Sequence, residues 1–209
     1  MKELIIYEKF DSSAIDNRLT WFNPPNKWLL KNSRLRIEPD AKTDFWQNTY
    51  YDFVADNGHF LYEKVTGDFI ITTRLWFNPV HQYDQAGLMV RISSRCWIKV
   101  SVEYEIDEPS KLGAVVTNNG YSDWSTQNFY DKNNELELRI KRKSSDYIVE
   151  YLKADSPEKV EFEDNWTQIR MTHLQEDTGD IPLLIGIYAC SPKKAGYTVE
   201  FDLLKIEKL

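Results

Sequence analysis

Trp97, Lys99, Ser101, Glu103 and Glu105 occupy alternate positions of one run, Cys96 to Ile106, and alternate residues of an extended chain share a face. A ring, a cation and two carboxylates in one row have the composition of a sugar-binding surface. The ring stacks on a pyranose while the charged groups bond its hydroxyls. Tyr83, Asp84 and Gln85 head the neighbouring run Ala86 to Ile92, and Asp44, Trp46, Asp123 and Trp124 supply the same residue types, so all are candidates to line one cleft. Glu103, Glu105 and Asp107 also stand at i, i+2 and i+4. A retaining glycosidase needs two carboxyls about 5–5.5 Å apart, which makes Glu103 and Glu105 the candidate pair for hydrolysis. Against that, Asp107-Glu108-Pro109-Ser110 reads as a turn, and acidic clusters at strand ends also discourage edge pairing. The plainer reading of the row is a wet sheet face, with Lys99 paired to Glu103 or Glu105. Trp97 weighs against it, because that face would leave an indole exposed.

Other chemistries find less support. His59, His81 and His173 lack metal-ligand spacing, and His173, alternating with Ile169 and Met171, reads as a core histidine. Asp52 and Asp56 with Asn57-Gly58 offer oxygen ligands for Ca²⁺, but Asp-Asn-Gly is first a turn, so no metal is expected. There is no Gly-rich phosphate loop before a helix and no Gly-x-Ser-x-Gly elbow, so no cofactor is expected. Arg139-Ile140-Lys141-Arg142-Lys143 reads as a solvated rim able to hold an anion such as a sugar phosphate, with Arg91 and Lys99 as alternative anion ligands. Cys96 and Cys190 are too few for a disulfide framework and read as buried thiols, one disulfide between them being possible only if their two strands are neighbours.

The elements that must hold these residues are strands. Aromatics make up 14% of the chain and long helical periodicity is absent, which favours an all-β fold. Period-two alternation runs through Phe69–Phe77, Ala86–Ile92, Cys96–Ile106, Leu136–Ile140, Tyr147–Tyr151, Ile169–His173 and Tyr197–Leu203, while Leu183–Ala189 is apolar on both faces. Asp56-Asn57-Gly58, Asn118-Asn119-Gly120 and Ser144-Ser145-Asp146 supply turns, giving about a dozen strands. One short helical turn is expected near Asp11 to Asn17. At 209 residues, with no linker or repeat, the chain reads as one sandwich domain over 1–209. No apolar window is long enough for a membrane helix, and a net charge of −7 argues against nucleic acid and anionic membranes. Met1 to Lys9 breaks into charge too early for a secretory signal, so the expected compartment is cytoplasmic.

Five segments in order, Trp21-Phe22-Asn23-Pro24-Pro25, Asp44-Phe45-Trp46-Gln47-Asn48-Thr49, Tyr83-Asp84-Gln85-Ala86-Gly87-Leu88-Met89-Val90, Trp97-Ile98-Lys99 with Glu103-Tyr104, and Ser122-Asp123-Trp124-Ser125, carry a resemblance. Together they resemble the domain-of-unknown-function family 1349, whose yeast relatives are named for regulation of enolase. The closing segments Gly186–Ser191 and Gly196–Phe201 are similar to those of concanavalin-A-like jelly rolls. The resemblance implies a concanavalin-A-like jelly-roll sandwich of two antiparallel sheets and supplies no chemistry of its own. The sequence thus points to a non-catalytic domain binding a carbohydrate or sugar-like ligand on the concave sheet. The alternative is a cytoplasmic interaction protein with an enolase-type metabolic-enzyme partner, and the third reading is a glycoside hydrolase.

Overall fold

The computed structural model describes residues 3–130, 134–153 and 165–209. Among these residues seventeen strands form two large antiparallel sheets and one small hairpin. The eight-stranded sheet has the order β15 (Thr167–His173), β14 (Asp146–Lys153), β13 (Glu135–Lys143), β8 (Phe69–Asn78), β17 (Thr198–Lys208), β4 (Leu35–Glu38) and β3 (Lys27–Leu30), with β1 (Glu3–Glu8) also paired to β17. The seven-stranded sheet has the order β12 (Tyr121–Phe129), β11 (Ser110–Asn118), β10 (Cys96–Glu103), β9 (Gln85–Ser93), β16 (Leu183–Cys190), β7 (His59–Val65) and β2 (Thr20–Phe22).

The core lies between the sheets and follows the sequence period. Leu136, Leu138 and Ile140 of β13 are fully buried beside half-buried Glu137 and Arg139. A buried Leu or Ile contributes about 1.5–3 kcal/mol relative to an exposed one, and a one-residue slip would turn all three outward, so the alternation fixes register. In β17 the register shifts between Phe201 and Leu203. Leu204 and Ile206 therefore follow Val199 and Phe201 into the core, and Leu203, expected on that face, is only half-buried. Close packing of the seven-stranded sheet also requires Gly186, where a Cβ would sit 1.9 Å from the Leu61 carbonyl oxygen. Gly186→Ala is expected to cost about 1–3 kcal/mol in urea unfolding, and no measurable loss would refute the close approach.

Three expectations are corrected here. No helix spans Asp11 to Asn17. The Glu8 carboxylate instead accepts the Phe10 and Asp16 amides at 2.6 and 2.8 Å, holding the segment as a loop. His173 is exposed beside Asp146, because β15 is a sheet edge. The basic run is not a free rim: Arg142 is fully buried on Asp177, and Arg139 and Lys141 both pair with Glu150. Cys96 and Cys190 are free and buried, in separate core clusters.

The third layer decides the site. The hairpin β5 (Phe45–Gln47) and β6 (Val54–Asp56) lies on the outer face of the seven-stranded sheet, burying Phe45 and Trp46 with Phe60, Met89, Trp97, Val115, Tyr188 and Cys190. It is pinned by polar contacts. Arg91 makes a two-pronged pair with Asp56 at 2.6 and 2.8 Å, and Gln47 N–H donates to Ser122 Oγ at 2.9 Å. Arg91 is thereby committed to structure and is not the anion ligand expected of it.

Candidate functional site

Every residue of β10 is buried, on both of the faces that its alternation sets. Even positions enter the inter-sheet core. On the odd face Trp97 is 0% exposed, its ring edge-on to Phe45 at 6.3 Å under the added hairpin. The expected exposed stacking platform is therefore a core residue. Lys99 and Glu103 lie further along the same face, and there the cover opens into a cavity of about 380 Å³ lined among others by Asp44, Trp46, Tyr83, Lys99, Glu103 and Trp124. Six of the ten residues expected at a binding site thus meet in one place.

The floor is a buried charge cluster. Lys99 Nζ donates to Gln85 Oε1 at 2.8 Å and to Asp44 Oδ1 at 3.1 Å, with Glu103 Oε1 3.8 Å away. Asp44 is held at the mouth of β5 because its carbonyl accepts the Asn57 and Gly58 amides, both at 3.1 Å, and its own amide donates to Asn57 Oδ1 at 3.0 Å. The Asp-Asn-Gly turn therefore serves to place Asp44. Gln85 is fixed from beneath by Tyr188 Oη at 3.1 Å.

Burial pushes the Glu103 carboxyl up most strongly. Lys99 pulls it back and the neighbouring Asp44 and Glu105 push it up again, leaving it at about 7. Burial works to lower Lys99, but Asp44 and Glu103 outweigh it and hold the ammonium above its ordinary value. Near neutral pH the cavity thus presents a firm cation donor beside a carboxyl that both donates and accepts. That combination suits hydroxyl groups, which also do both.

The remaining expected residues fall elsewhere. Asp84 is buried and organises the turn before β9, accepting the Val80 and His81 amides at 2.9 and 2.7 Å and Ser191 Oγ at 2.9 Å. Gln85 supports Lys99 rather than lining the cavity. Asp123 lies outside the cavity, paired with Arg170 at 3.1 Å. Glu105 stands just beyond the end of β10, where Gln82 Nε2 donates to its carboxylate at 2.9 Å.

Tyr51, Phe53, Lys42 and Lys193 line the cavity without having been expected there. Tyr50-Tyr51-Asp52-Phe53, three aromatics inside a polar stretch, was the available signal for the first two. Lys193 carries none, and it arrives from the β16–β17 connection to sit 5.3 Å over the Tyr83 ring.

Two antiparallel sheets packed face to face, with a pocket on the outer face of one, make this a concanavalin-A-like sandwich. Over residues 21–209 the chain matches, and belongs to, the family described as protein of unknown function (DUF1349). Regulation of enolase protein 1 of Saccharomyces cerevisiae is 34% identical over 183 residues, 88% of this chain and 86% of that protein. A solved structure described as a functionally unknown protein from Saccharomyces cerevisiae is similar with a TM-score of 0.79 and 30% identity, over 90% of this chain and 95% of its own. The GH43 protein BlXynB from Bacillus licheniformis is similar with a TM-score of 0.73 and 18% identity, over 97% of this chain and 39% of its own, a likeness of fold alone.

Proposed function

We propose that the protein is a non-catalytic binding domain whose outer-face cavity takes a carbohydrate or sugar-like small molecule. The observation that carries this reading is the Lys99–Asp44–Glu103 cluster, buried yet bordering a cavity walled by Trp46, Tyr51, Tyr83 and Trp124. Buried ion pairs are generally no better for stability than apolar residues of the same volume, so the fold alone gives no reason for charges here. A polar ligand does. The aromatic walls supply stacking faces, and Lys99 and Glu103 supply the hydroxyl partners. In this reading the protein works in the cytoplasm, where its two buried thiols stay reduced.

Calorimetric titration with mono- and oligosaccharides tests the reading. Trp124 is half-buried on the edge strand β12, so Trp124→Ala is expected to keep the fold and weaken binding at least tenfold. Trp97→Ala would instead empty a core site and report on stability. Release of reducing ends from a bound oligosaccharide would move the assignment to a hydrolase. The second reading, a regulatory protein with a metabolic-enzyme partner, draws on the name of the yeast relative. No saccharide binding, together with a complex with purified enolase in sedimentation, would replace the first reading by the second.

A further inference from the structure

A second cavity, of about 530 Å³, lies beside the first and shares Trp46, Tyr51 and Trp124 with it. Each falls within the roughly 300–1,000 Å³ of an ordinary small-ligand pocket. We infer that the two form one groove and that its ligand is a linear oligosaccharide, with one unit over Lys99 and Glu103 and an uncharged next unit against Tyr50, Tyr121 and Trp124. This rests on the saccharide reading of the first cavity and extends it to a second subsite.

The composition of the second cavity singles out the occupant. Besides the three shared aromatics, the described residues that line it are Thr49, Tyr50, Tyr121, Ser122 and Asp123, none of them aliphatic or cationic. Every lining group is thus an aromatic ring or an oxygen. The one carboxylate, Asp123, is already held by Arg170. A phosphate or sulfate on the unit seated here would meet only Arg170, whose charge Asp123 already balances, whereas a sugar's apolar face and hydroxyl edge are both met.

The aromatics are displayed rather than packed away, Tyr50 being 87% and Tyr121 65% exposed. Their placement is also held. Asn48, Tyr50 and Asp52 all have left-handed backbone (φ 54°, 65° and 52°), a conformation costly for a residue as bulky as tyrosine. Strain of about 1–3 kcal/mol per residue persists where surrounding contacts enforce it. Those contacts are Asn48 Nδ2 on the Gly120 carbonyl at 2.7 Å and Trp46 Nε1 on the Thr49 carbonyl at 3.0 Å. The dividing wall between the subsites is therefore fixed to the β11–β12 turn.

The test is calorimetric titration with linear xylo-, cello- and manno-oligosaccharides of one to five units. In a series that binds, affinity is expected to rise at least tenfold between one unit and three. Tyr121→Ala and Tyr50→Ala truncate exposed side chains, and each is expected to bring that ratio below threefold. Binding that does not strengthen with length, or a ratio unchanged in both variants, overturns the groove and leaves the single-cavity reading standing. Failure of every series to bind overturns both.

Discussion

Replacing Arg142 with methionine is expected to lower the unfolding free energy by about 3–5 kcal/mol, the usual cost of removing one partner from a buried ion pair. Arg142 and Asp177 are both fully shielded, joined through Nε at 2.8 Å and Nη2 at 2.5 Å. The guanidinium also donates to the Gly67 and Gly179 carbonyls at 2.6 and 3.0 Å, tying the β7–β8 turn and the segment before β16 to β13. Tyr147 donates its hydroxyl to the same carboxylate. In the variant Asp177 keeps its burial and loses its cation. For a chain of this length that loss corresponds to a melting-temperature drop of about 10 °C.

The pH dependence carries the sign of the mechanism. Burial works to raise Asp177, but the bonds from Arg142, Tyr147 and the Gly179 amide overcome it and hold the carboxyl below its ordinary 3.8. Its contribution is therefore complete above pH 3.8 and is lost as pH falls through the lower folded value. Without Arg142 burial is far less opposed, and the penalty falls on the ionised form. The difference between wild type and variant should thus be largest at pH 7 and shrink toward pH 3. Urea unfolding at the two values decides it, and a loss under about 1 kcal/mol at pH 7 would show that the pair is not holding these turns.

Arg142 also marks a limit of sequence reading. Within Arg139–Lys143 it takes the inward phase of β13, continuing Leu136, Leu138 and Ile140, but its charge argued for solvent. Its partner lies 35 positions away, in a loop with no periodicity to signal it. β10 teaches the same lesson from the other side. Alternation located its two faces, and Trp97, Lys99 and Glu103 do share one. Alternation reports which residues face together and is silent on what covers them. Here the cover is β5 and β6, strands of three residues each, too short for any period-two signal. The long strands were legible because each spans several repeats. Convergence of Asp44 and Trp124 on the same cavity was legible only as shared residue type, since strand order, which places them together, leaves no trace in local pattern. Glu105 shows the same limit: the strand ends at Glu103, so the alternation that joins the two residues in the sequence runs past the element that would enforce it.

Glu103→Gln is expected to stabilise the protein at alkaline pH while weakening ligand binding. The carboxyl rises from 4.5 in the open chain to about 7 in the fold, chiefly through burial. Between these values the folded state holds a proton that the unfolded state has released, so stability falls as pH climbs through that window and stays lower above it. At 1.36 kcal/mol per unit the cost approaches about 3 kcal/mol by pH 8. Glutamine, of nearly the same shape, has no such ionisation. Lys99 keeps Asp44 and Gln85 as partners, so the substitution strands no cation. The variant should therefore match wild type in urea at pH 4.5 and exceed it at pH 8. An offset that is the same at both values would mean Glu103 does not titrate in the cavity. A carboxyl serving the fold alone would lose stability on replacement at every pH. One that weakens the fold in its ionised form and strengthens ligand binding has its reason in the ligand, and stability gained with affinity lost in the same variant is the signature of such a trade.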